Sequence, residues 1–130
     1  MLSHLPSIVV ALTVLLLILT TFLVGRARGK YGIHAPATTG NLDFERIFRV
    51  QMNTLEAVVL FLPILWLGTV YSDPRIAGGL GLVWVVARYW YVFAYADSAK
   101  KRGPAFILSI VASFGLFAIS LWGLMRAIVA

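Results

Sequence analysis

The 130-residue chain has no cysteine, five acidic residues and two histidines. Without cysteine it can form no disulfide, no cysteine-ligated zinc or iron–sulfur centre, and no protein thiol nucleophile. His4 and His34 stand alone, one near the N-terminus and one in a loop, so no histidine metal site is expected. Charge of either sign is scarce: only 12% of residues are Asp, Glu, Lys or Arg, against about 25% in soluble domains. Short alternating segments are also missing, which excludes a β-barrel. The opening "MLSHLPS" has no positive n-region, and no small-residue cleavage site follows the apolar run from Ile8 to Val24. That run is therefore expected to be a retained membrane span rather than a signal peptide.

What the chain does have is apolar length. Hydrophobic residues make up 61% of it and the mean hydropathy is +0.92. A hydrocarbon core of about 30 Å needs about 20 apolar residues per helical crossing. The expected fold is an all-α membrane protein, a four-transmembrane-helix bundle forming one domain over residues 1–130, with spans near 5–24, 44–71, 75–100 and 104–127. Gly25, Gly29, Gly32, Pro36 and Gly40 are expected to break the first loop. Pro63 is expected to kink span two, with Ser72 or Asp73 capping span three and Pro104 opening span four. The small residues Gly78–Gly81 sit inside an apolar run, where they allow close helix approach.

The net charge of +6 lies in or beside short loops, so it reads as membrane topology rather than nucleic-acid binding. Arg26, Arg28, Lys30, Arg46 and Arg49 surround loop one, and Lys100, Lys101 and Arg102 surround loop three. The positive-inside rule makes those loops cytoplasmic and puts both termini on the opposite side.

The charges within span two need a reason, because polar groups in a membrane are costly unless paired. Arg46, Arg49, Asn53 and Glu56 follow spacings of 3, 4 and 3, which places them on one stripe about 80° wide. Gln51 points to nearly the opposite side. Arg49 and Glu56 are two turns apart, about 10 Å along the axis, which reads as too far for a direct pair. On span three, Arg88, Tyr91, Tyr95, Ser98 and Arg102 form a matching stripe. Packed antiparallel, the two faces would build one polar cavity near the cytoplasmic end, with Arg28 and Lys30 close by. An internal ion network such as Glu56 with Arg88 is one reading. A ligand site is the other, because arginines outnumber carboxylates on these faces and an excess of buried cations calls for an anionic guest. Arginines suit carboxylates, a glutamate suits an ammonium, and asparagine and tyrosines suit amides. Together they describe a short acidic peptide-like molecule with a free amine.

"FERIFRVQMNTLE" (Phe44–Glu56) closely resembles the FER-x-x-R-x-Q-x-N-x-x-E segment of the MAPEG family, the membrane-associated proteins in eicosanoid and glutathione metabolism. "PATTGN", "LFLPILWLG" and "ARYWYVFAYADSAKKR" (Ala87–Arg102) are similar to that family too. The resemblance implies a homotrimer of four-helix subunits, binding glutathione between neighbours near the cytoplasmic side. By position, it implies glutathione contacts from Arg28, Arg49, Asn53, Glu56, Arg88, Tyr91 and Tyr95, with Gln51 belonging to the adjacent subunit interface. Arg102 matches the arginine that stabilises the glutathione thiolate.

This chain departs from particular branches of the family. Gly29 stands where the leukotriene-C synthases have a second loop arginine, and Ala57 where they have tyrosine. Gln51 stands where the prostaglandin-E synthases have histidine. Arg49 and Glu56 are kept, unlike in the non-enzymatic lipoxygenase-activating member. The resemblance thus implies a glutathione transferase that conjugates glutathione, its cosubstrate, to lipophilic electrophiles from the bilayer, with lipid hydroperoxide reduction as a second activity. The alternatives are a non-catalytic lipid-binding or scaffolding member and a small four-span exporter with Glu56 as its proton site.

Overall fold

The computed structural model describes all residues, Met1–Ala130. Four helices follow one another: α1 (Leu5–Tyr31), α2 (Leu42–Tyr71), α3 (Pro74–Asp97) and α4 (Gly103–Val129), with short 3-10 turns at Leu2–His4 and Ala99–Lys101. Each is long and apolar enough to cross a membrane.

The helix ends follow local chemistry. The Asn41 carboxamide oxygen accepts from the Asp43 and Phe44 amides and starts α2, while Asp43 and Glu45 in the first turn complement its dipole. Asp73 caps α3 by accepting from the Arg75 amide at 2.8 Å, and Pro74 fills the first turn, where no amide donor is needed. The Arg75 side chain also donates to Asp73 and holds its carboxyl below the usual carboxylate range. α2 continues through Pro63 as one element.

Two boundaries differ from the sequence expectation. α1 does not end near Val24 but runs on to Tyr31, because Gly25 and Gly29 sit in helical conformation and the stop comes at Gly32 (φ 68°), whose amide bonds back to the Arg28 carbonyl. Arg26, Arg28 and Lys30 are therefore on a helix rather than a loop. α3 ends at Asp97, three residues early, because Ser98 is extended (φ −158°, ψ 134°). Ser98 and Arg102 thus do not continue the α3 stripe.

The bundle packs around two main clusters. One holds Val9, Val58, Phe61, Leu65, Trp84, Val85 and Leu116, with the Phe61 and Trp84 rings stacked at 3.7 Å. The other, nearer loops one and three, holds Leu16, Val50, Tyr91, Val92, Tyr95 and Ala105. Gly78 allows the start of α1 to lie against α3, since a Cβ there would sit 2.7 Å from the Leu5 Cβ. Buried Thr13, Ser109 and Ser120 satisfy their hydroxyls on carbonyls of their own helices, as a low-dielectric surrounding requires. Large apolar side chains such as Ile18, Phe22, Trp66, Phe93 and Trp122 face outward on all four helices, as they would toward lipid.

Candidate functional site

Arg88 is the centre of the polar cluster. It is 1% exposed, inside the bundle. Its Nη2 donates to Asn53 Oδ1 and to Thr54 Oγ1, both at 3.1 Å. Its guanidinium lies 4.0 Å from the Tyr91 ring centroid. No carboxylate neutralises it, and its buried Nε has no partner. The ion network suggested for Glu56 and Arg88 is therefore not formed. A buried guanidinium held only by neutral groups bears a desolvation cost that an anion could offset.

From Arg88 the cluster runs outward. Tyr91 meets Tyr95 edge-to-face at 5.5 Å and Phe106 of α4 at 6.1 Å. Arg102, exposed at the start of α4, lies 5.2 Å over the Tyr95 ring. Asn53, Tyr91, Arg102, Gly103, Phe106 and Ile107 enclose a cleft of about 310 Å³. One wall is polar, and the other is apolar, with Ile107 62% exposed at the rim. A cavity of about 380 Å³ at the opposite end of the bundle, around Tyr71 and Arg126, contains none of the stripe residues.

Arg49 and Glu56 correct the sequence reading. They do form a direct pair, at 3.2 Å with a second contact at 3.5 Å. Seven residues bring both side chains to nearly the same angular position, and two extended side chains bridge the axial gap. The pair is half-exposed, with side chains 50% and 58% accessible. Arg46 pairs with Asp43 and donates from Nε to the Ala96 carbonyl, tying α2 to the end of α3.

The remaining candidates lie elsewhere in the single chain. Arg28 donates to the Ile33 and Ala37 carbonyls and lies over the Phe44 ring, so it organises loop one. Gln51 turns away from the stripe and donates to Thr21 of α1 at 3.3 Å. Lys30 lines a separate cleft between α1 and α2.

The MAPEG family pattern matches residues 6–122. The chain belongs to the MAPEG family. It is 49% identical over 108 residues to an uncharacterized protein of Synechocystis, covering 83% of this chain and 79% of that protein. It is 47% identical over 87 residues to mouse microsomal glutathione S-transferase 2, covering 67% of this chain and 59% of the mouse protein. It is 38% identical over 100 residues to guinea-pig leukotriene C4 synthase, covering 77% of this chain and 67% of that enzyme. As a MAPEG chain with four spanning helices, it is an integral, multi-pass membrane protein.

In this MAPEG chain the structure brings together Asn53, Arg88, Tyr91, Tyr95 and Arg102. It also adds Thr54 and Phe106, which sequence reasoning missed. Thr54 follows the asparagine of the stripe, and the turn of the helix aims it at α3. Phe106 looked like any apolar residue of span four, and no spacing rule separates it from its neighbours. Chemically, the cleft offers one cation, Arg102, with an amide and a ring face on one side and an apolar wall on the other, and the buried Arg88 lies behind Asn53.

Proposed function

We propose that the protein is a membrane-bound glutathione transferase that joins glutathione to lipophilic electrophiles reaching it from the bilayer. The observation that carries this reading is the position of Arg102. It stands free of any carboxylate at a cleft whose other walls are Asn53 and Tyr91 on the polar side and Phe106 and Ile107 on the apolar side. A hydrophilic thiol and an apolar partner could meet there. Glutathione, with two carboxylates, an amine, two amides and a thiol, has the groups these side chains would recognise. The relatives with transferase and synthase names support the same class of chemistry.

In this reading Arg102 holds the cosubstrate's sulfur as thiolate. A free thiol has a pKa of about 8.5, so only about 3% is ionised at pH 7. Lowering that pKa to 7 takes about 2 kcal/mol of preference for the charged form. One guanidinium in a site shielded from water can supply that. The thiolate then attacks the electrophilic carbon, a C–S bond forms, and the displaced group leaves with its electron pair.

The Arg49–Glu56 pair supports an assembly of subunits, which the family resemblance makes a homotrimer. Glu56 lies about 21 Å along a helix about 45 Å long, yet the pair is half-exposed in the single chain. Lipid is a poor neighbour for such groups, whereas a second subunit would cover them and make Arg49 and Glu56 part of a shared site. Glutathione would then bind between subunits, its carboxylate on Arg49 and its amine on Glu56, the two partners exchanging with the pair. We also place loops one and three on the cytoplasmic side, following their charge.

The test is a thiol–electrophile screen on purified protein with glutathione, cysteine or no thiol. Turnover with glutathione well above the other two is expected. Saturable lipid binding without turnover would make it a scaffold, and proton-coupled transport through Glu56 would make it an exporter.

A further inference from the structure

Two of the basic residues at the loop-one end face neither the cleft at Asn53 nor any acidic partner. Leu23, Arg26, Ala27 and Lys30 follow helical spacing on one face of α1. Together with Tyr31 at the end of α1 and Ile47 of α2 they enclose a cleft of about 130 Å³. Arg26 and Lys30 are exposed and form no ion pair. The Lys30 ammonium lies 5.3 Å over the Tyr31 ring.

The rest of the chain does not supply their counter-ion. Asp43 is held by Arg46, Glu56 by Arg49, Asp73 by Arg75 and Asp97 by Lys101. The fifth carboxylate, Glu45, is not among the cleft's lining residues. Two cations with open donors therefore converge on a concave site whose other walls, Leu23 and Ile47, are apolar. The site lies where the apolar run of α1 gives way to charge, next to Phe22, which is 65% exposed.

We infer that this cleft seats the phosphate group of an anionic phospholipid. The Arg26 guanidinium suits phosphate oxygens in a two-pronged geometry, and the Lys30 ammonium adds a point charge. Leu23, Ile47 and Phe22 lie along the path the acyl chains would take into the bilayer. Basic residues that only mark topology need no cleft: Lys100 and Lys101 in loop three are exposed and line none, and Lys101 is paired with Asp97. The site is separate from the proposed glutathione cleft, so it stands or falls independently of the transferase reading.

Native mass spectrometry of the detergent-purified protein, with added phosphatidylglycerol or phosphatidylcholine, tests the inference. Phosphatidylglycerol is expected to stay bound and phosphatidylcholine to be lost. The double variant Arg26→Gln/Lys30→Gln should weaken phosphatidylglycerol binding by about 30-fold, about 5-fold per cation. Both side chains are exposed, so the fold should survive, and an unchanged circular dichroism spectrum would check that. Lys100→Gln/Lys101→Gln, which removes the same formal charge from loop three, should leave binding nearly unchanged, because neither lysine lines the cleft. Equal losses in the two double variants would reduce the effect to general surface charge and overturn the site. Equal retention of the two lipids would overturn it as well. Displacement of phosphatidylglycerol by millimolar inorganic phosphate would make it a free-anion site instead of a lipid site.

Discussion

At the scale of single residues, the scarcity of acid decides most of the chemistry. Four of the five carboxylates are in ion pairs, which leaves Arg88 and Arg102 without one. Arg49 and Glu56 are paired with each other, so a zwitterionic ligand can replace both partners at once. Arg49→Ala is expected to cost about 2 kcal/mol or more of glutathione affinity, a loss of about 30-fold, because a carboxylate is left unpaired in a poorly hydrated site. Glu56→Gln should weaken binding similarly while keeping shape. Arg75→Ala, at the far end, should change little. Titration calorimetry reads all three, and unchanged affinity in both α2 variants would leave the pair a structural clasp. The stripe was legible in the sequence because helical spacing fixes angular position. The pair itself was not, because spacing says nothing about how far two flexible side chains reach.

At the scale of elements, the spans were legible from apolar length and the α3 cap from Asp73, whereas the Asn41 cap that starts α2 was not read from the sequence. Less legible was how far α1 continues beyond its apolar part, because Gly25 and Gly29 looked like breakers and are ordinary helix residues here. The early end of α3 was hidden for a different reason. Ser98 fits the stripe by spacing, but its backbone leaves the helix and carries Arg102 to the start of α4. Close helix contacts give a prediction at this scale. A Cβ on Gly123 would lie 1.8 Å from the Tyr71 carbonyl oxygen, so α4 would have to move away from the end of α2. Gly123→Ala should destabilise the protein by about 1–3 kcal/mol. Gly115→Ala, with nothing within 4 Å of its Cβ, should not. Thermal unfolding in detergent compares them, and equal melting temperatures would mean that α2 and α4 are not tightly joined there.

At the scale of the whole molecule, lipid explains the outward apolar surface, whereas the Arg49–Glu56 pair is half-exposed in the single chain and would be covered only in the proposed assembly. The purified protein is expected to run as a three-copy assembly in mild detergent by native mass spectrometry. A monomer that still turns over would contradict a shared site. Orientation can be tested cleanly because the chain has no native cysteine. In intact cells, Asp73→Cys should react with an impermeant thiol reagent and Lys101→Cys should not. Labelling of position 101 from outside would reverse the topology.

The most direct measurement concerns Arg102 and the thiolate. Ultraviolet difference spectra record thiolate formation when glutathione is added to the protein, and calorimetry records binding in parallel. Arg102→Leu is expected to remove the thiolate absorbance and lower turnover by about 10-fold or more, in line with the roughly 2 kcal/mol asked of the guanidinium, while glutathione still binds. Lys101→Leu, one residue earlier and paired with Asp97, should leave both unchanged. A normal thiolate signal in Arg102→Leu would contradict the role given to Arg102 and move attention to Tyr91 and Tyr95.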